Sequence, residues 1–250
     1  MKRAWSMAAL LTIAAASALG ADPPRRSGFD DMTPQLQAMQ RDDASNPAML
    51  WVQEGAAMWT RGCTRCHGDA ATSMKGVAAR YPAFDAATRQ PITLGQRINQ
   101  CIATRQQPPT AALAPESDAM LAIESFVAFQ SRGLAIAPPP DARLQPFRER
   151  GEQLYRRRMG QLDFSCAQCH DGHAGQRLGG STIPQAHPTG YPMYRLEWQG
   201  MASLQRRLRS CMTGVRAEPF AYGAIELTEL ELYLAQRAAG MKVETPAVRP

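Results

Sequence analysis

The pattern CxxCH occurs twice in the chain, as Cys63-Thr64-Arg65-Cys66-His67 and as Cys166-Ala167-Gln168-Cys169-His170. Nothing else in the sequence restricts the possible folds so tightly. Two thiols at this spacing can both add to vinyl groups on one edge of a porphyrin, and the adjoining histidine then falls beneath the iron as an axial ligand. A redox CxxC or half of a zinc site accounts for the cysteines but not for a trailing histidine in both copies. The motifs therefore predict two covalently bound haem c groups, held by Cys63, Cys66, Cys166 and Cys169 with His67 and His170 on the irons.

An internal repeat surrounds the motifs. From Tyr81-Pro82 and Tyr191-Pro192 onward the halves align at an offset of 110, matching Leu94, Arg97, Ile98, Cys101 and Ile102 with Leu204, Arg207, Leu208, Cys211 and Met212. Pro109 and Pro219 keep that offset. Between the CxxCH motifs it is 103, so about seven extra residues follow the second motif, in the loop GHAGQRLGGSTIPQAHPTG. The halves also end alike, in ESFVAFQSRG and ELYLAQRAAG. Asn46-Pro47 and Pro146 read as helix starts before each motif. Leu94, Ile98, Cys101 and Ile102 share one helical face, and the second copy repeats the spacing. Thr228 and Glu231 have capping-box spacing at the start of the last helix.

The expected fold class is all-α, with two tandem cytochrome c-type haem domains related by the repeat. Its expected divisions are a signal peptide over 1–20, an N-terminal arm over 21–46, a first domain over 47–133, a Pro-rich linker over 134–141, a second domain over 142–240 and a C-terminal tail over 241–250. The leader is read from Lys2 and Arg3 before the apolar run Ala4 to Leu19, with small residues following. It predicts export to the periplasm, without a membrane span in the mature chain. Removing Lys2 and Arg3 leaves a formal charge of +4 out of +6. That balance is mildly basic, and sparse aromatic residues give no nucleic-acid reader. Arginine outnumbers lysine 25 to 3, a surplus that suits anions, haem propionates or an acidic partner.

Six-coordinate iron needs a second axial ligand. Beyond the motifs the histidines are His173 and His187, both in the second half's loop, where they read as structural. None of the 13 methionines occupies matching positions in both halves. Cys101 and Cys211 do. Two readings of this pair compete: a disulfide, the usual fate of spare cysteines in an oxidising compartment, and thiolate ligation of one haem by each. Equivalent positions in separate domains favour ligation, because a disulfide needs Cα atoms within about 7 Å.

The paired CxxCH motifs, the loop RLGGSTIPQAHPTGYPMYRLEWQ and the stretch RRLRSCMTGVRAEPF followed by LTELELYL resemble the SoxA family, dihaem subunits of the SoxAX cytochrome complexes of sulfur-oxidising bacteria. The resemblance covers essentially the mature chain. It implies an L-cysteine S-thiosulfotransferase, which joins thiosulfate oxidatively to a cysteine of a SoxYZ-like carrier while electrons leave through a SoxX-like monohaem subunit, in a heterodimer. It also implies that Cys211 is both the distal ligand of the catalytic haem and the reactive sulfur, with Cys101 as ligand of the other haem. For a dianionic substrate the candidate clamps are Arg207, one helical turn before Cys211, and Arg216 in the following turn. Each arginine could instead pair with a propionate or a surface carboxylate. Two other functions remain open: a dihaem electron carrier without thiol chemistry, and a dihaem peroxidase, which needs an openable distal side that two thiolates would block.

Overall fold

The computed structural model describes residues 24–105 and 111–250. The expected leader and Pro109 of the repeat lie outside them. Among the described residues ten α-helices and seven short strands follow in order. An arm carries α1 (Pro34–Arg41). The first half comprises α2 (Met49–Gly62), α3 (Thr64–His67), α4 (Ala70–Ser73), the hairpin β1 (Ala83–Asp85) and β2 (Gln90–Ile92), α5 (Leu94–Arg105) and α6 (Asp118–Phe129). The second comprises α7 (Gln145–Arg156), α8 (Cys166–His170), β3 (Arg177–Leu178), β4 (Ser181–Thr182), β5 (Met193–Arg195), β6 (Gly200–Ala202), α9 (Leu204–Gly214) and α10 (Ile225–Arg237), and β7 (Ala247–Arg249) ends the chain. No described helix is long and apolar enough to cross a membrane.

Each half is built on one close helix crossing. In α2 a Cβ on Gly55 would lie 2.2 Å from the Ala122 carbonyl oxygen of α6; in α7 a Cβ on Gly151 would lie 2.1 Å from that of Glu229 in α10. Only hydrogen fits at either place. Glycine inside a helix costs about 0.5–1 kcal/mol relative to alanine, and the apolar burial gained as the backbones meet offsets it. Trp59, Ile123 and Val127 form the first core around this crossing, with the Trp59 and Phe126 rings 5.8 Å apart. Leu154, Tyr155, Leu227, Leu230 and Leu234 form the second, where Tyr155 and Tyr233 meet at 5.3 Å.

The expected helical repeat is present, with three departures. The hairpins β1–β2 and β5–β6 are antiparallel, pairing Phe84 with Pro91 and Tyr194 with Met201; three-residue strands are too short for a period-two pattern to show. The last helix starts at Ile225, so Thr228 and Glu231 are interior rather than a capping box: the Thr228 hydroxyl donates to the Ala224 carbonyl, and Glu231 accepts from Gln205 at 2.8 Å. The C-terminal segment is not a loose tail either. Strand β7 pairs in parallel with β5, Tyr194 opposite Val248, and all three of its residues are buried.

Prolines do not separate the halves into independent bodies. Ile136 N–H donates to the Met241 carbonyl and Val243 N–H to that of Leu134, both within 3.0 Å, so the linker docks beside the chain that follows α10. Ile136, Ala79, Ala238 and Val243 share a small core there.

Candidate haem sites

Both CxxCH motifs sit on single helical turns fed by the helix that opens each half. Cys63 ends α2 and caps α3, its N–H bonded to the Trp59 carbonyl. In the second half Ser165 and Gln168 form a capping box that starts α8 at Cys166. Helical backbone at this spacing brings both thiols toward one side and leaves the histidine one residue beyond.

His170 is the better defined of the two proximal candidates. Its Nδ1 lies 2.7 Å from the Pro184 carbonyl oxygen. A carbonyl can only accept, so Nδ1 carries the proton and Nε2 keeps its lone pair for a metal. Burial, and after it the Arg207 charge among other neighbours, holds the imidazole below its ordinary range despite the Pro184 bond. His67 is exposed and stands beside Trp59, ring centroids 5.6 Å apart.

The two unpaired candidates lie each beside its own motif. Burial raises the Cys63 thiol, followed by the proximity of Cys101 and Cys66; burial and then Cys211 push Cys166 up to about 11. Haem attachment turns Cys63 and Cys166 into thioethers, so these shifts matter here as signs of closeness. All six cysteines are free, and no bond joins Cys101 to Cys211. Among the described residues no three His, Cys, Asp or Glu side chains converge as a bare metal-ion site.

A cavity of about 320 Å³ has His170 and Cys211 in its lining. Met193, Leu204, Leu208 and Leu234 give it apolar walls, and Arg195, Arg207 and Arg249 add positive charge. Apolar walls for a macrocycle, cations for its propionates, an imidazole with a free Nε2 and a thiol fit a haem with His/Cys axial donors. The extra loop of the second half contributes Arg177, Pro184 and His187 to this lining. His187 Nδ1 lies 2.7 Å from the Arg26 carbonyl oxygen and His173 Nδ1 3.2 Å from Gln176.

Arg207 lines this cavity, half-buried, with Tyr191 and Cys211 nearby. The one carboxylate that bears on it is Glu197, after Cys211 and Tyr191, and Glu197 pairs with Arg195 at 2.9 Å. The equivalent Arg97 behaves differently, bonding the buried Asp85 at 3.0 Å. Position 85 of β1 corresponds to position 195 of β5 at the same offset of 110, where the residue is arginine. One half thus neutralises its arginine and the other leaves it without a carboxylate partner among the described residues. The sequence contained this exchange in the aligned strands, but their role as partners of the ligand helix shows only in three dimensions. Arg216 is not brought to the cavity: it is exposed, at φ 59° in the turn after α9, and its carbonyl accepts from Gln161 N–H.

A family model, SoxA/TsdA, cytochrome c domain, matches residues 48–136 and again 150–243. The chain belongs to this family. Among its relatives, the L-cysteine S-thiosulfotransferase subunit SoxA of Pseudaminobacter salicylatoxidans is 36% identical over 231 residues, 89% of this chain and 80% of that one. The same subunit of Rhodovulum sulfidophilum is 35% identical over 90% of this chain and 80% of its own. The crystal structure of SoxXA from P. pantotrophus superposes with a TM-score of 0.85 at 33% identity, covering 90% of this chain and 87% of that one. As a member of the SoxA/TsdA family the chain is a c-type cytochrome carrying covalent haem in a two-domain fold.

Proposed function

We propose that the chain is the dihaem SoxA-type subunit of a periplasmic L-cysteine S-thiosulfotransferase, with one haem c on Cys63 and Cys66 and a second on Cys166 and Cys169. His67 with Cys101, and His170 with Cys211, are the residues that would hold the irons. Its partners are a SoxX-like monohaem cytochrome and a SoxYZ-like carrier. The reaction forms a bond between a carrier cysteine sulfur and the outer sulfur of thiosulfate, releasing two electrons and the thiol proton. Bound haem supplies the electron-accepting chemistry.

What carries this reading is the unpaired Arg207 in the cavity shared by Cys211 and His170, against the neutralised Arg97 of the first half. A planar guanidinium can hold two oxyanion oxygens of a sulfonate-like group and so present the outer sulfur to Cys211. The His170–Pro184 bond keeps the proximal imidazole in one tautomer. Arg216, outside the cavity, suits the approach of substrate or carrier rather than the reacting atoms. A dihaem electron carrier needs no such difference between its halves.

The test is Cys211→Met in fully haem-loaded protein. Methionine remains an adequate haem ligand but lacks an ionisable sulfur. Low-spin haem with thiosulfate conjugation lost is expected; normal conjugation would reduce the molecule to an electron carrier.

A further inference from the structure

A second cavity, of about 180 Å³, lies between the halves. Equivalent residues of the repeat line it from both sides: Thr93 and Ser203, Leu94 and Leu204, Tyr81 and Tyr191, and Glu124 and Glu231 from matching places in α6 and α10. Glu116 adds a third carboxylate. No lysine, arginine or histidine is among the lining residues. Arginines on the elements that pack here have other partners: Arg97 of α5 pairs with Asp85, Arg206 of α9 lies over the ring of Trp198, and Arg237 of α10 pairs with Asp171, while Arg209 of α9 stacks on the ring of Tyr222, a residue of the cavity wall. Arg207 faces the haem cavity, and Arg105 is exposed at the end of α5.

The glutamates are accommodated by specific neighbours. A Cβ on Gly95 would lie 2.7 Å from Glu124 Oε2, so glycine admits that carboxyl, which takes a bond from the Gly95 N–H. At the matching place in α9, Gln205 donates to Glu231 at 2.8 Å and accepts from the Gly223 N–H. Glu116 accepts from the Ser203 N–H at 3.3 Å. Neighbouring, half-buried carboxylates without a cation among their lining residues disfavour one another's ionisation. Burial first, then Glu231 and Glu116, push Glu124 up to about 8; burial and Glu116 push Glu231 up to about 7.

The cavity adjoins both candidate haem sites. Tyr191, Thr189, Pro188 and Leu204 line it and the cavity of His170 and Cys211 alike. On its other side Leu94 and Met120 belong to the core against which Tyr81, Cys63 and Ile98 pack. Reduction adds one negative charge to an iron, which raises the proton affinity of any carboxylate nearby through a medium that screens little.

We propose that the Glu124–Glu231 cavity is a proton-binding site shared by the two halves, taking one proton from solvent when an adjoining haem takes one electron. No covalent bond other than the carboxyl O–H forms, and the electron comes from whichever reductant reduces the haem. The inference needs the cytochrome but not the thiosulfate reaction.

Redox titration of the haem-loaded protein between about pH 6 and 9 tests it. The midpoint potential of at least one haem should fall as pH rises, and Glu124→Gln/Glu231→Gln should flatten that fall. A pH dependence identical in wild type and double variant overturns the proposal, even if conjugating activity is intact. Reduced-minus-oxidised infrared spectra of the wild-type protein give a measurement that needs no variant: a carboxylic acid C=O band that grows on reduction and shifts in D₂O is expected. Its absence overturns the proposal, as does a metal ion that survives chelation and is displaced by the double substitution.

Discussion

Asp85 and Arg195 stand at one position of two equivalent hairpins, and the exchange between them gives Arg97 a carboxylate partner that Arg207 lacks among the described residues. Arg97 spends its guanidinium on a buried carboxylate. Arg207 lines the cavity beside Cys211, where its guanidinium can meet a haem propionate or the substrate anion we propose. Replacing Arg207 by lysine retains charge but removes the planar fork. We expect kcat/KM for thiosulfate to fall about ten- to a hundredfold, the range of one charge-assisted hydrogen bond, with the haem potential unmoved. Steady-state kinetics and redox titration of Arg207→Lys check this; unchanged kinetics with a shifted potential would assign the residue to a propionate. The Nδ1 bond from His170 to Pro184 is a further contribution that no spacing rule disclosed, since thirteen residues, including the short β3–β4 pair, lie between the two.

At the scale of elements, each half depends on a helix pair that meets at glycine. A methyl on Gly151 faces the Glu229 main chain, which cannot swing aside as a side chain can. Overpacking costs about 1–3 kcal/mol or more, of which alanine's better helix propensity returns up to about 1 kcal/mol. Gly151→Ala should therefore lower Tm, by about 2–4 °C for each kcal/mol lost in a chain of this size. Gly214, with open space around its added Cβ near the end of α9, is the control, and Gly214→Ala should leave Tm unchanged or raise it. Thermal unfolding of both variants decides. Helices α5, α6, α7 and α9 lie where periodicity and proline placement predict them. The hairpins and the start of α10 were less legible because their determinants are partners elsewhere in the chain: Gln205 for Glu231, and Val248 for β5.

Across the whole molecule the halves share an acidic cavity, which has a consequence for stability. Glutamate in an unfolded chain titrates near about 4.3, whereas Glu124 is raised to about 8 and Glu231 to about 7. Between those values the folded chain holds protons that the unfolded chain has released, so stability falls as pH rises through this window. Asp43, Asp85 and Asp141, held below the usual carboxylate range chiefly by side-chain hydrogen bonds from Arg132, Thr88 and Arg143, act with the opposite sign and at lower pH. Urea midpoints at pH 5.5 and 8.5 should therefore differ more in the wild type than in Glu124→Gln/Glu231→Gln. Equal differences would mean that the pair does not titrate in this range.

The sequence by itself determined the two CxxCH motifs, the repeat that relates the halves, the helices that carry Cys101 and Cys211, and Arg207 one turn before Cys211. All of these are local patterns or copies of one another, so spacing along the chain is enough to find them. Tertiary structure alone decided that Arg97 meets a carboxylate while Arg207 has none as a partner among the described residues, that Arg216 stays outside the cavity, that the last residues form a buried strand, and that Glu124 and Glu231 line one cavity. Each of those outcomes depends on which segments meet after the chain has folded back on itself. A charge's partner and its burial are properties of that meeting, and residue order carries no direct record of them.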